Sequence, residues 1–158
     1  MEHTARSADE IRVEFSEMCK NKAVDIAMNG GRHIVCCIDG SESSHQAFMM
    51  CIHLRKKYDY ISVFHAYRDD QDGVPDQFKA SVLKDKYEKE LAQHMSPYFS
   101  EVKWAKRGGS RFSDTLQEAI LSWKSSGNPA HFLVMGHMGR KGKGFYAPLS
   151  SNCDWALR

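Results

Sequence analysis

His33-Ile34-Val35-Cys36-Cys37-Ile38-Asp39-Gly40-Ser41 is a short apolar run that ends in a turn-forming sequence. A continuous apolar stretch of this length is typical of a strand that is buried on both faces, as in a parallel sheet. A helical pattern follows from about Ser43 to Lys57, and the residues predicted to face inward are Ala47, Met50, Cys51 and Leu54. The stretch therefore predicts a strand followed by a helix that packs back on it.

The same alternation of strand and helix continues along the chain. Further strands are predicted at Tyr60 to Ala66, Glu101 to Lys106 and His131 to Met135. Glu101 to Lys106 alternates apolar and polar residues, which is typical of an edge strand. Helices are predicted from about Ser7 to Ala27, from Asp76 to Tyr98, and from the cap Ser113 to Gly127, the last with Leu116, Ala119, Ile120 and Trp123 on one side. The order predicts an α/β fold with a parallel sheet, right-handed crossovers and helices on both faces.

The length and the net charge of the chain limit the kinds of protein that it can be. The chain has 158 residues, 42% of them hydrophobic, which suits one domain with its own core. We divide it into an N-terminal helical extension, residues 1–31, and a domain, residues 32–158. The 22 basic and 20 acidic residues leave a net charge of +2, so the whole chain gives no electrostatic reason to bind nucleic acid. No segment approaches the roughly 20 apolar residues of a membrane-spanning helix, so no membrane partner is expected.

The five cysteines favour a reduced, cytoplasmic protein. They are Cys19, Cys36, Cys37, Cys51 and Cys153. Their spacing is not that of a metal site. Cys36 and Cys37 are neighbours in a predicted strand, so their side chains should point to opposite faces and act as small core residues.

A basic, glycine-rich loop follows the last predicted strand. It runs Met135-Gly136-His137-Met138-Gly139-Arg140-Lys141-Gly142-Lys143-Gly144. Glycine lets backbone N–H groups approach an anion closely, and the basic side chains supply positive potential. A helix predicted to begin at Ser150 would add its N-terminal dipole. The loop is thus a candidate phosphate site, and a plain surface turn is the alternative.

Three separated motifs resemble the universal stress protein family. They are Ile34 to Ser44, Val63 to Ala66, and Val134-Met135-Gly136-x-x-Gly139, and the resemblance covers about Arg32 to Arg158. It implies a Rossmann-like three-layer sandwich with sheet order 3-2-1-4-5 and ligands at the carboxyl ends of the strands. It also implies that the fifth strand, which in relatives often pairs across a homodimer, is missing from this C-terminus. We therefore expect the order 3-2-1-4.

A missing fifth strand would leave the fourth strand as an apolar edge. We predict that Ile11, Phe15 and Met18 of the N-terminal helix shield this edge. The alternative is that a second copy of the chain shields it in a homodimer.

The resemblance also implies a site for ATP, with magnesium as a further expectation. Asp39 would lie beside the nucleoside, Ala66 would offer backbone hydrogen bonds to the adenine, and Met135 would form an apolar wall. The phosphates would rest on Gly136, Gly139, Arg140, Ser150 and Ser151. The family pattern is glycine, two residues, glycine, nine residues, then glycine followed by serine or threonine, and Leu149 stands in place of the third glycine.

Each of these residues also has a purely structural interpretation. Asp39 suits a turn and a helix cap, Ala66 and Met135 suit strand packing, and His65 and His137 suit hydrogen-bonding roles better than a role as a base. We predict an ATP-binding regulatory or stress-response protein rather than an enzyme. The alternative is an interaction module that kept the fold and lost the nucleotide because of Leu149. An ATP-pyrophosphatase-type enzyme is the third reading, but the turn Asp39 to Ser44 lacks the paired glycines that such a loop needs.

Overall fold

A computed structural model describes residues 21–68, 70, 72–137 and 156. Residues 21–28 are helical and are called α1. The elements that follow are β1 (His33–Cys37), α2 (Glu42–Leu54), β2 (Tyr60–Tyr67), α3 (Ala80–His94), β3 (Ser100–Lys106), α4 (Phe112–Ser125) and β4 (Phe132–Met135). Short 3-10 turns, Asp76–Phe78 and Pro97–Phe99, flank α3. No helix in the described part of the chain is long and apolar enough to cross a membrane.

The four strands form one parallel sheet in the order β3-β2-β1-β4. This confirms the predicted α/β class and strand order. In the register, Cys37 of β1 lies between Phe64 of β2 and Met135 of β4. The chain leaves β1 toward β2 on one side and returns to it with β4 on the other. The carboxyl ends of β1 and β4 therefore form the point where the order of the strands reverses.

Helices cover both faces of the sheet, as alternation of side chains along β1 requires. Ile34, Cys36 and Ile38 point to one face. There they meet α2 and α3 in the α2/α3 cluster, with Phe48, Cys51, Ile52, Leu83, Tyr87 and Leu91. Val35 and Cys37 point to the other face and form the α4 cluster with Phe64, Leu116, Ala119 and Trp123. The predicted inward side of α4 and the opposite orientations of Cys36 and Cys37 are confirmed.

A buried polar network lies at the amino-terminal end of the sheet. His33 is fully buried, and its Nδ1–H donates to the carbonyl oxygen of Asn128 at 2.9 Å. Its Nε2 lies 2.8 Å from Ser62 Oγ, and that hydroxyl oxygen lies 2.6 Å from Glu101 Oε1. The same carboxylate oxygen accepts from Trp123 Nε1 at 2.6 Å. The network ties β1, β2, β3 and α4 together through groups that would each be costly to bury alone.

Asp59 and Arg32 form an ion pair beside this network. The fully buried carboxylate accepts from the backbone N–H of Arg32 and of Lys56, each at 2.9 Å, and from Arg32 Nε at 3.1 Å. Burial acts to raise the pKa of Asp59, but the hydrogen bonds from Arg32 and Lys56 outweigh it and lower the pKa. The pair joins the start of β1 to the turn before β2.

The described end of the N-terminal helix packs at the amino ends of β2 and β3. The Lys22 ammonium lies 4.3 Å from the centre of the Tyr60 ring, and Tyr98 donates its hydroxyl to an Asp25 carboxylate oxygen at 2.7 Å. Among described residues β4 pairs with β1 alone, and Phe132 at its start is 48% exposed. The predicted shielding residues Ile11, Phe15 and Met18, and the C-terminal segment where the fifth strand was expected to be missing, lie outside the described residues.

The buried face of α2 was predicted only in part, because Cys51 is buried as expected but Met50 and Leu54 are not. Met50 and Leu54 are 56% and 67% exposed, whereas Phe48, Cys51 and Ile52 are buried. The helix carries apolar residues on two adjoining stripes, and the stripe with the larger Phe48 and Ile52 side chains packs on the sheet.

Helix boundaries also differ from the predictions, and the clearest cases are α4 and α3. Helix α4 begins at Phe112, because the Asp114 carboxylate accepts from the Arg111 backbone N–H at 3.1 Å, so Ser113 lies in the first turn and is not the cap. The helix predicted from Asp76 to Tyr98 is interrupted where Lys79 and Met95 adopt extended backbone, and Pro97 prevents its continuation.

Candidate functional site

Loops at the carboxyl ends of the parallel strands form the candidate site, which we call the carboxyl edge. Its described members are the β1–α2 turn (residues 38–41), the β3–α4 loop (residues 107–111), and Gly136 with His137 after β4. In open parallel sheets ligands bind where the strand order reverses, because loops from the two flanking strands diverge and leave a crevice. Here that position is between β1 and β4.

The β1–α2 turn is fixed by its own hydrogen bonds. An Asp39 carboxylate oxygen accepts from the Ser41 backbone N–H at 2.9 Å, and Ser41 Oγ caps α2 by accepting from the Ser44 N–H at 3.2 Å. Gly40 between them has φ +86°, and a Cβ there would lie 2.8 Å from the Phe78 ring. The turn thus needs glycine for both backbone conformation and space. It holds Asp39 beside the N-terminus of α2, so its predicted turn role is confirmed.

Gly136, which follows β4, lies against the first turn of α2. A Cβ on this residue would lie 2.6 Å from the backbone carbon of Ser43 and 2.6 Å from the backbone nitrogen of Ser44. The chain leaving β4 therefore crosses directly over the first turn of α2, which only glycine permits. The first glycine of the predicted motif is located at the switch point, against a helix N-terminus.

A contact between Ser43 and His137 joins the same two elements. Ser43 Oγ and His137 Nδ1 are 3.0 Å apart. The sequence indicated a hydrogen-bonding role for His137 but no partner. The two residues are 94 positions apart, and only the register of β1 with β4 brings them together.

Ala66 and Met135 lie on the α4 side of the sheet near its carboxyl edge. Both are partly buried and pack against the α4 cluster, and Met135 is paired with Cys37 in the sheet. Ala66 lies two residues beyond Phe64, which pairs with the same Cys37. The geometry thus brings Asp39, Met135 and Gly136 together at one strand junction and places Ala66 on the neighbouring strand. The other predicted site residues, Gly139, Arg140, Ser150 and Ser151, lie outside the described residues, as does Leu149.

His65 is a structural residue. It is 4% exposed, and its Nδ1–H donates to the Ile38 carbonyl oxygen at 2.8 Å. Its ring centre lies 5.2 Å from that of Trp104. This confirms the hydrogen-bonding interpretation and fixes the spacing between β1 and β2 just below the carboxyl edge.

Basic residues of the β3–α4 loop lie at the same edge of the sheet. The backbone N–H of Arg107 donates to the Tyr67 carbonyl oxygen at 2.8 Å, which anchors the loop to the end of β2. The Arg107 guanidinium donates to the Ser110 carbonyl oxygen at 3.1 Å. These contacts hold the positive charge of Arg107 at the carboxyl edge, where it would attract an anion.

Within the described ranges, no group of three or more His, Cys, Asp or Glu side chains is arranged to hold a metal ion.

Comparisons with known proteins identify the family. No curated protein matches the chain. A solved structure similar to it is the crystal structure of protein Rv1636 from Mycobacterium tuberculosis, with 18% sequence identity, 71% of this chain and 75% of that chain covered, and a TM-score of 0.47. A model of the universal stress protein family matches residues 31–151, well over half of the chain. The chain therefore belongs to the universal stress protein family, and this membership supports a role in the stress response.

Proposed function

We propose that this protein binds an adenine nucleotide, ATP with magnesium, at the carboxyl edge between β1 and β4, and that it acts as a regulatory stress-response protein. The observation that carries the proposal is Gly136, where the loop after β4 lies on the first turn of α2 with no room for a side chain. Backbone N–H groups can approach an anion closely at such a junction. Family membership supports the same site.

The nucleoside would occupy the side of the junction nearer β2. Asp39 would accept hydrogen bonds from the ribose or base, since its carboxylate is held at the end of β1 by the Ser41 N–H. Ala66 would leave room beside β2 for the adenine edge, and Met135 would pack against the base. Each of these side chains is partly exposed and lies beside the switch point.

The phosphates would occupy the side formed by the glycine loop. Gly136, Gly139, Arg140, Ser150 and Ser151 are the proposed contacts, with backbone donors and local positive charge as their chemistry. Ser43 and His137 border this region and would fix the start of the loop.

We propose regulation rather than catalysis because the buried His65 already donates a hydrogen bond to a backbone carbonyl oxygen. We further propose that the protein works in the cytoplasm and that a homodimer is its working form. Size-exclusion chromatography with light scattering tests the dimer directly, and a monomer at micromolar concentration would contradict it.

Isothermal titration of the purified chain with ATP and magnesium tests the central proposal. We expect saturable heat and a thermal shift that Asp39→Asn reduces. Absence of both at millimolar ATP would overturn nucleotide binding and favour an interaction module in which Leu149 blocks the phosphates.

Leu149→Gly separates these two functions. If the leucine is the block, the substitution creates or strengthens ATP affinity. If the parent chain already binds tightly and the substitution changes nothing, the interaction-module alternative is wrong.

A further inference from the structure

Three large apolar side chains lie exposed on one side of the molecule. Met50 and Leu54 of α2 are 56% and 67% exposed, and Phe132 at the start of β4 is 48% exposed. Val134, two residues further along β4, packs against the α2/α3 cluster, so Phe132 points to the same face of the sheet. Among described residues β4 is also an edge of that sheet. Apolar side chains that cluster in this way mark a surface for binding.

The three side chains come together because α2 runs back along the sheet. Its first turn, at Ser43, lies against Gly136 just after β4. Leu54 is about 16 Å from Ser43 along the helix. Phe132 is about 13 Å from Gly136 along the strand, so Leu54 and Phe132 lie at about the same level. We call Ala47, Met50, Leu54 and Phe132 the α2/β4 surface.

Helix α2 differs from α3 in the charge of its exposed face. Between Ser43 and Leu54, α2 carries no Asp, Glu, Lys or Arg. Helix α3 carries six such residues, which are Lys84, Asp85, Lys86, Glu88, Lys89 and Glu90. Depletion of charge is typical of the centre of a protein interface, and an uncharged surface can face a copy of itself without repulsion.

We propose that the α2/β4 surface binds a second copy of the chain, with the two α2 helices packed antiparallel about a two-fold axis close to Met50. A two-fold interface uses the same surface on both copies, so that surface must be complementary to itself. Ala47 lies three residues before Met50, and Leu54 lies four residues after it. The axis therefore places the large Leu54 of one copy opposite the small Ala47 of the other. This assigns an interface to the homodimer proposed above, on which the inference rests.

The charges at the two ends of α2 are complementary in the same arrangement. Glu42 is exposed in the first turn, and Lys56 and Lys57 are exposed just beyond the last turn. Antiparallel packing brings Glu42 of one copy toward these lysines of the other and sets the two helix dipoles in opposite directions. Parallel packing would bring like charges together.

Sedimentation velocity of the full chain tests the proposal. We expect the parent to dimerise, and we expect Met50→Glu to raise the dissociation constant at least about tenfold, because two carboxylates would then be buried side by side. Leu121→Glu is the matched control, since Leu121 on α4 is also 56% exposed. It should leave the dissociation constant unchanged. Both variants should melt like the parent, because both positions are exposed.

Cross-linking locates the two-fold axis without depending on a loss of binding. In a chain that carries Cys19→Ser and Cys153→Ser, Met50→Cys should give a disulfide-linked dimer on mild oxidation, because residues beside the axis lie close to their symmetry mates. Leu121→Cys should not. Charge reversal tests the orientation: Glu42→Lys should weaken the dimer, and adding Lys56→Glu and Lys57→Glu should restore it.

The outcomes separate this interface from the homodimer itself. A dimer that survives Met50→Glu and gives no cross-link with Met50→Cys overturns the α2/β4 interface but leaves the homodimer standing. A parent chain that is monomeric throughout overturns both. Neither result changes the outcome of the ATP titration, which measures nucleotide binding separately.

Discussion

The two ends of the sheet are built from the same strands but have opposite properties. At the amino end, His33, Asp59 and Ser62 are fully buried and hydrogen-bonded across three strands and α4. At the carboxyl end, Asp39, Ser43 and His137 are partly or fully exposed, and their contacts join loops to a helix terminus.

The residues that stabilise the sheet and the residues available to bind a ligand therefore lie at opposite ends of it. Buried polar groups with complete hydrogen bonding rigidify a structure, and removing one partner leaves the others unsatisfied. Exposed polar groups at a strand junction contribute little to stability but remain accessible to a ligand. Substitutions at the amino end should therefore change the free energy of unfolding, and substitutions at the carboxyl end should chiefly change ligand binding.

Asp59→Ala should have the largest effect. It leaves the Arg32 guanidinium and the backbone N–H groups of Arg32 and Lys56 without their acceptor, so we expect the free energy of unfolding to fall by about 3–4 kcal/mol. Chemical denaturation monitored by circular dichroism measures this.

Asp76→Ala is the matched control, since that carboxylate pairs with Lys79 at 2.7 Å but is 90% exposed. Its removal should lower the free energy of unfolding far less than Asp59→Ala does, as exposed pairs contribute little. Equal effects for the two aspartates would contradict the contrast between the ends of the sheet.

Gly136→Ala should come next, and it tests the close packing of the chain after β4 on the first turn of α2. The new Cβ would lie 2.6 Å from backbone atoms of Ser43 and Ser44, so strand or helix must shift. We expect a loss of about 2 kcal/mol in stability. Any nucleotide affinity should also fall by about tenfold or more, which corresponds to about 1.4 kcal/mol.

Gly109→Ala provides the comparison for Gly136→Ala. Gly109 lies in a loop at the same edge, and a Cβ there meets nothing within 4 Å. This variant should be as stable as the parent or slightly more so. If Gly136→Ala is as stable as Gly109→Ala, the chain after β4 does not pass close to the first turn of α2.

Acidification should weaken the amino end through His33. Burial lowers the pKa of His33, although the hydrogen bond to the Asn128 carbonyl and the charge of Glu101 oppose the shift, and His131 adds to it. The unfolded chain thus takes up the proton first. The free energy of unfolding should fall as the pH drops from about 6.5 toward the lower folded pKa, by about 1.4 kcal/mol for each unit of the shift.

NMR titration of the imidazole measures the pKa of His33 in the folded protein. Denaturation at several pH values measures how the free energy of unfolding depends on pH. His53→Gln should keep the pH dependence, because His53 is exposed on α2. His33→Gln should flatten it between pH 6.5 and the lower pKa. A folded His33 that titrates above its unfolded value would contradict the prediction.

The sequence predicted the sheet far better than it predicted the polar contacts. The strands followed from apolar runs, because burial on both faces leaves a clear pattern in β1 and β2, and the strand order followed from the resemblance to the family. The buried face of α2 was predicted correctly at Cys51 but wrongly at Met50 and Leu54, because these two compete with Phe48 and Ile52 and size decides only in the folded state.

The candidate site was predictable only in part, for a related reason. Asp39 and Gly136 lie within local motifs, so their position at the strand ends could be read from neighbouring residues. The network of His33, Ser62 and Glu101 joins three strands and has no local signature. Contacts of this kind depend on register, which a single sequence does not specify at the level of residue pairs.

The smallest expected effect concerns Ser43 and His137, and it tests the carboxyl end directly. Removing the contact by Ser43→Ala or His137→Ala should change stability by less than about 0.5 kcal/mol, since both groups are accessible to water. If the contact fixes the start of the phosphate loop, each variant should weaken ATP binding by about threefold, because more of the loop must then be ordered on binding. The double variant should be no weaker than either single one, as expected for two residues that act through one hydrogen bond. Ser113→Ala, in the first turn of α4 at the same edge, should leave the affinity unchanged. Additive losses in the double variant, measured by titration calorimetry, would mean that the two side chains act separately and that their contact does not position the loop.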